Sequence, residues 1–229
     1  MPDQRMPRRV GLRVQRVARV IPLLLALLVT GCGATGGPDP DNPGGVVVQR
    51  AADPNGFVGG TSLPQPYAMP DQSLKDTADQ WFNLRDSPST RVTLVFFGYT
   101  NCPDVCNTVL AAVATALSRS DPAVRQQIQM VFVTTDPARD DGPAIRDYLD
   151  RFDPAFIGLT GDLGTIKQVA GRVGVDVSGM KKLPSGGYEV GHSTQVIGFD
   201  AQRDGVVMWT PGVSIGDLKA DFARLVELS

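Results

Sequence analysis

The chain is poor in the residues that usually hold proteins together covalently or bind metals. Three cysteines and a single histidine serve 229 residues. Three thiols are too few for a small scaffold stapled by several disulfides, so the core must come from packing. Aromatics make up only 7%, an ordinary share for a globular chain. Glycine, at 25 residues, is likewise ordinary and excludes a collagen-like sequence. Long apolar stretches are missing too. Residues 21–29 form an apolar run of nine, interrupted only by Pro22, whereas a spanning helix needs about 20 residues. A strong charge of one sign is also lacking, since the formal net charge is −2. That figure hides an asymmetry. Arg5, Arg8, Arg9, Arg13, Arg16 and Arg19 face one acid, Asp3, within residues 1–31, leaving 16 basic and 23 acidic side chains beyond, a balance of −7. A chain of that sign has no electrostatic reason to bind nucleic acid.

Six arginines before a short apolar run read as the basic and hydrophobic parts of a secretory signal. Arg8 and Arg9 form a twin-arginine pair in a context that fits a Tat signal poorly, so the export route stays open. The run ends in Val29, Thr30, Gly31 and Cys32, which resembles the lipobox of bacterial lipoproteins. By that resemblance Cys32 receives lipid and becomes the mature N-terminus, anchored outside the cytoplasm to the bacterial cell membrane. Glycine and proline then fill eight of the thirteen positions 33–45, a composition that forms neither helix nor core and reads as a tether. The expected organisation is a signal peptide over 1–31, a lipidated tether over 32–56 and one domain over 57–229, acting as a monomer.

Within that domain, residues 91–97 (RVTLVFF) are β-branched and aromatic without polar alternation, as in a strand buried on both faces. Thr100 to Asp104 then supply a polar cap, a proline and a first-turn acid, predicting a helix to about Ser118. The rhythm repeats with strands over 128–134 and 156–159 and helices over 142–152 and 162–173. It changes to an antiparallel hairpin, 195–199 with 205–209, and a closing helix over 215–228. This order predicts an α/β, thioredoxin-like fold: a central mixed sheet flanked by helices, with an N-terminal strand or hairpin extension over 57–84.

Cys102 and Cys106 stand four apart at the expected helix start. Side chains at that spacing share a helix face, so both sulfurs can reach one small ion or, with adjustment, each other as a disulfide. The positive end of a helix favours thiolate over thiol, which predicts that both are activated. His192, in the segment 188–194 (YEVGHST), precedes the first hairpin strand, and in this layout that junction faces the start of the first helix. Two thiolates and one imidazole make a soft three-donor site. Cu(I) accepts such ligation, and Cu(II) can bind if a fourth donor completes the set. Structural zinc normally takes four protein ligands, so zinc ranks behind copper.

The segments 97–106 (FGYTNCPDVC) and 136–140 (DPARD), with His192 followed by Ser193, occur in order and at suitable separations. Together they resemble the Sco/SenC copper metallochaperones that serve the binuclear copper centre of cytochrome c oxidase, and the similarity runs from about Ser73 through the last helix. The resemblance implies that Cys102, Cys106 and His192 are copper ligands and that the partner is the copper-accepting oxidase subunit. Asn107 departs from a proline common there. Asp136 is expected near the metal, orienting a ligand or tuning the thiols, or else in a loop ion pair with Arg139. Asp104 is expected as a first-turn acid, and Met180, Lys181 and Lys182 in a loop able to touch a partner.

Two rivals use the same thiols. A thiol-disulfide oxidoreductase would keep the acceptor cysteines reduced, with Cys102 and Cys106 as its redox pair. It has no need of His192, and the CxxxC spacing departs from the CxxC of thioredoxin-type redox sites. A peroxiredoxin wants proline and threonine seven and three residues before its nucleophile. Val95 and Tyr99 stand there for Cys102, and Tyr99 and Pro103 for Cys106, which argues against it.

Overall fold

A computed structural model describes residues 52–184 and 187–229. The expected signal peptide, Cys32 and residues 32–51 of the tether lie outside the described residues. The described residues form one compact unit, and among them no helix is long and apolar enough to cross a membrane.

In chain order, three strands come first: β1 (Thr61–Ala68), β2 (Ser73–Asp76) and β3 (Trp81–Asn83). The central unit is β4 (Val92–Gly98), α1 (Val105–Ser118), the single turn α2 (Pro122–Arg125), β5 (Ile128–Thr134), α3 (Gly142–Leu149), β6 (Ile157–Thr160) and α4 (Leu163–Arg172). Then follow β7 (Val177–Lys182), β8 (Tyr188–His192), β9 (Val196–Phe199), β10 (Asp204–Trp209) and α5 (Ile215–Leu228).

Eight strands make one mixed sheet in the order β1-β10-β9-β4-β5-β6-β2-β3. β4 pairs in parallel with β5, and β5 with β6; β9 joins β4 antiparallel. Every residue of β4 is buried, as its unbroken apolar run predicts. Leu94 and Phe96 pack on the face covered by α1, α3 and α5, while Val95 and Phe97 join the face covered by α4. Each fully buried side chain of this size contributes about 1.5–3 kcal/mol, so the central strands carry a large share of the packing energy.

The thioredoxin-like layout is therefore present, with differences of detail. The extension is split: β1 pairs with β10 at one edge, and the β2–β3 hairpin pairs with β6 at the other. Helix α2 and the separate two-stranded β7–β8 sheet are additions to the expected order. Met180, Lys181 and Lys182 lie in strand β7, paired with Val190, Glu189 and Tyr188, rather than in a loop. Backbone pairing with β8 supplies there what hydrophobic alternation does not, since β7 is exposed from Ser178 onward.

Candidate metal centre

The site forms at the carboxyl ends of β4 and β5, where successive registers bring three distant segments together. Gly98 pairs with Thr134, which sets residues 135–140 beside the loop leaving β4. Phe96 pairs with Val196, which sets the residues just before β9 beside the same loop. Cys102, Cys106 and His192 meet there, and their ligand atoms all lie within 4.8 Å of one another. Among the described residues this is the group of cysteine, histidine and carboxylate side chains that could hold a metal ion.

Helix α1 begins at Val105, later than the sequence suggests, so Cys102 and Pro103 precede it and Asp104 occupies the N-cap position outside the first turn. The Asp104 side chain makes no capping hydrogen bond, whereas α2, α3, α4 and α5 all have one. The backbone N–H groups of Asp104 and Cys106 favour the Cys102 thiolate. The turn is held from behind as well, since the Cys102 N–H donates to the Tyr99 carbonyl over 3.1 Å. Gly98 leaves room for the second sulfur: a Cβ there would lie 3.2 Å from Cys106 Sγ and 3.0 Å from the Phe132 ring.

Both cysteines are free and buried. Their thiols are not equally activated, contrary to the expectation from the helix end alone. Cys106, as hydrogen-bond donor, pulls the Cys102 thiol down to about 4 against the opposing effect of burial, aided by the two N–H groups. Cys106 moves up, because it is the donor in that bond, is fully buried and would ionise beside an existing thiolate. One proton is shared in effect by two sulfurs.

His192 is half-buried at the end of β8. Its Nδ1 lies 2.9 Å from the Ser193 carbonyl oxygen, which can only accept, so Nδ1 carries the proton and donates. That assignment leaves the Nε2 lone pair facing Cys106 Sγ at 3.7 Å, the arrangement a metal-binding imidazole needs. Tyr99 and Phe96 hold the ring edge-on at centroid distances of 5.8 and 6.4 Å. Cys102 and His192 line a cleft of about 370 Å³, flanked by Asp104, Val105, Lys181, Glu189 and Thr194, while Cys106 is fully buried.

Asp136 is buried, and its carboxylate accepts from the Arg139 Nε and, over 2.9 Å, from the Tyr188 hydroxyl. Its bonds go to β8's first residue rather than to a sulfur or the imidazole. Asp140, in the same quoted segment but without an expected role, is fully buried and pins the cysteine loop. Its carboxylate accepts from the Thr100 N–H at 2.9 Å and from the Thr100 and Thr134 hydroxyls at 2.6 Å each. Asn107 accepts a 3.0 Å hydrogen bond from the buried Tyr148 hydroxyl through Oδ1, tying the first turn of α1 to α3. Asp140 closes the motif 136–140 and Tyr188 opens the segment 188–194, but nothing in the sequence marks either for these roles.

Comparison with known proteins gives one family. The SCO1/SenC family model matches residues 63–227. Mitochondrial SCO2 of Saccharomyces cerevisiae is 32% identical over 146 residues, covering 63% of this chain and 46% of that protein. The chain spans less than two thirds of the length of the curated relatives it matches. Among solved structures, apo Sco1 from Thermus thermophilus is 29% identical with a TM-score of 0.65, covering 73% of this chain and 96% of that one. ScoI of Bradyrhizobium japonicum, solved with copper bound, is also 29% identical, with a TM-score of 0.57 and coverage of 70% and 98%.

Proposed function

The chain belongs to the SCO1/SenC family, and on that premise we propose that Cys102, Cys106 and His192 bind one copper ion and pass it to the binuclear copper site of cytochrome c oxidase. The observation that carries this reading is the convergence of two sulfurs and one imidazole nitrogen within 4.8 Å. The copper-bound relative supports the choice of metal, as does donor softness: two thiolates and a nitrogen suit Cu(I). Uptake displaces the Cys106 proton, because a ligating thiol must be deprotonated. Release follows by ligand exchange. Incoming thiolates of the acceptor subunit replace the three donors one at a time, and the open cleft leaves room for each associative step. Lipid on Cys32 would hold the domain, as a monomer on its tether, at the outer face of the cell membrane. Residues 1–31 would act as the signal peptide, 32–56 as the tether and 57–229 as the copper-binding domain.

The unequal thiols favour one second reading, a thiol-disulfide oxidoreductase acting on the acceptor cysteines. Cys102 thiolate would attack an acceptor disulfide, forming a mixed disulfide and expelling one acceptor thiolate. Cys106 would then give its proton to the departing sulfur and attack Cys102 Sγ. The products are a Cys102–Cys106 disulfide and a reduced acceptor pair, a balanced two-electron exchange.

His192 separates the two. His192→Ala in the full chain is expected to weaken Cu(I) binding by more than about 100-fold, beyond the loss typical of a supporting residue, while the Cys102–Cys106 disulfide still forms on mild oxidation. Competition with a chromophoric Cu(I) chelator measures the first and thiol counting the second. Unchanged copper affinity would favour the reductase.

A further inference from the structure

The imidazole arrives on a weakly founded element. Strand β7 is exposed from Ser178 to Lys182, and a cavity of about 180 Å³ lies under the hairpin between Pro137, Leu163, Met180 and Val190. Near the His192 end, the hairpin is tied by the Ser193 N–H donating to the Asp176 carbonyl and the Asp176 N–H donating to the Ser193 hydroxyl, at 3.0 and 3.1 Å. Those bonds join the hairpin to its own flank. Among the described residues of the hairpin, Val190 is the one buried in the main core.

The other end of β8 is held by Tyr188, through three contacts with the Asp136–Arg139 ion pair. Its hydroxyl donates to Asp136 Oδ1 at 2.9 Å. The Arg139 guanidinium, itself paired with Asp136, lies over the Tyr188 ring with its central carbon 3.7 Å from the centroid. The Arg139 Nη1 also donates to the Tyr188 carbonyl at 3.3 Å. Arg139 reaches toward Tyr99 as well, 5.7 Å from its centroid, and Tyr99 packs edge-on against His192. The link thus connects the end of β5, the start of β8 and the aromatic wall of the imidazole.

We propose that Tyr188 is a positioning residue for His192, latching the β7–β8 hairpin to Asp136 and Arg139 so that the imidazole stays within reach of the two sulfurs. Latch and ligand stand at the two ends of the five-residue strand β8, which transmits position well, since an extended backbone is stiff and rises about 3.3 Å per residue. Tyr188 touches neither sulfur nor the imidazole, so its effect on copper passes entirely through His192. The inference rests on the copper reading above.

The test is a double-mutant cycle on the full chain, with Cu(I) affinity measured by chelator competition. Tyr188→Phe removes only the hydroxyl and keeps the stack on Arg139, so folding is retained. It is expected to weaken Cu(I) binding about 10-fold, the lower end of what a supporting hydrogen bond to a metal site provides. In a chain already carrying His192→Ala the same change should have no effect on Cu(I) affinity, because the two thiolates do not depend on the latch. Tyr188→Phe binding Cu(I) like the native chain while His192→Ala is weakened overturns the inference alone. An equal loss in both backgrounds also overturns it, showing general loosening of the site. Native affinity in His192→Ala removes the copper reading, and this inference falls with it.

Discussion

At the residue scale, the chemistry turns on how one proton is divided between two sulfurs. Cys102 faces the Cys106 thiol and two backbone N–H groups, all of which favour its thiolate. Cys106 is sealed from water and sits beside that charge, so its proton leaves only when a cation or an attacking sulfur compensates. Alkylation by iodoacetamide at varied pH should therefore resolve them. Cys102 becomes reactive as pH rises through about 4, while Cys106 stays protonated and protected through neutral pH. Cys106→Ala removes the largest stabiliser of the Cys102 thiolate, so the midpoint should climb toward that of a free cysteine, about 8.5. Mass spectrometry of the labelled peptides gives both curves. Equal labelling of the two thiols in the native chain would contradict this division.

At the element scale, the loop between β4 and α1 is positioned by a buried carboxylate rather than by the helix it precedes. Asp140 accepts three hydrogen bonds, two of them from Thr100, and hydrogen bonds to a charged acceptor contribute about 1.5–3 kcal/mol each before they are shared or replaced. Asp140→Ala should lower stability by about 3 kcal/mol in urea unfolding. It should also weaken Cu(I) binding about 10- to 100-fold, because the Cys102 turn loses its support. Loss of stability without loss of affinity would mean that the turn holds itself. The same loop shows why the helix start is misread from sequence. Thr100, Asn101, Pro103 and Asp104 have the composition of a cap and first turn, but Cys102 closes a separate turn onto the Tyr99 carbonyl, and the helix starts at Val105. The β7–β8 hairpin is hidden for another reason. Its strands carry glycine, serine and lysine, and their register is a property of pairing, with an irregularity between Val177 and Met180.

At the scale of the whole molecule, the chain's entry is stitched to its last helix. Asp221, nearly fully buried on α5, accepts from the N–H groups of Val58, Gly59 and Gly60 at 2.7, 3.0 and 2.6 Å and from the Trp209 indole at 2.8 Å. The approach is close: a Cβ on Gly59 would lie 2.4 Å from Val213, and one on Gly60 2.6 Å from Val207. Asp221→Ala leaves several buried donors without an acceptor, each costing about 1–3 kcal/mol, so a loss of at least about 3 kcal/mol in global stability is expected. Limited proteolysis should then cut within residues 52–60 before the central sheet is attacked. Protection equal to the native chain would show that β1 pairing with β10 alone secures the entry.

Composition and local order were enough for the alternation of buried strands and amphipathic helices, because burial on one or both faces is written directly into hydrophobic spacing. They were enough, too, to single out Cys102, Cys106 and His192, since rare side chains of soft-ligand chemistry stand out in any chain. Only the folded sheet decided that these three meet. The contact spans 86 residues and depends on the pairing of Phe96 with Val196, a register that no short stretch of sequence encodes. The unequal sulfurs, the Nδ1 proton of His192 and the roles of Asp140 and Tyr188 belong to the same category. Each arises from desolvation and from hydrogen bonds between elements distant along the chain, and such forces exist only once the chain has closed around them.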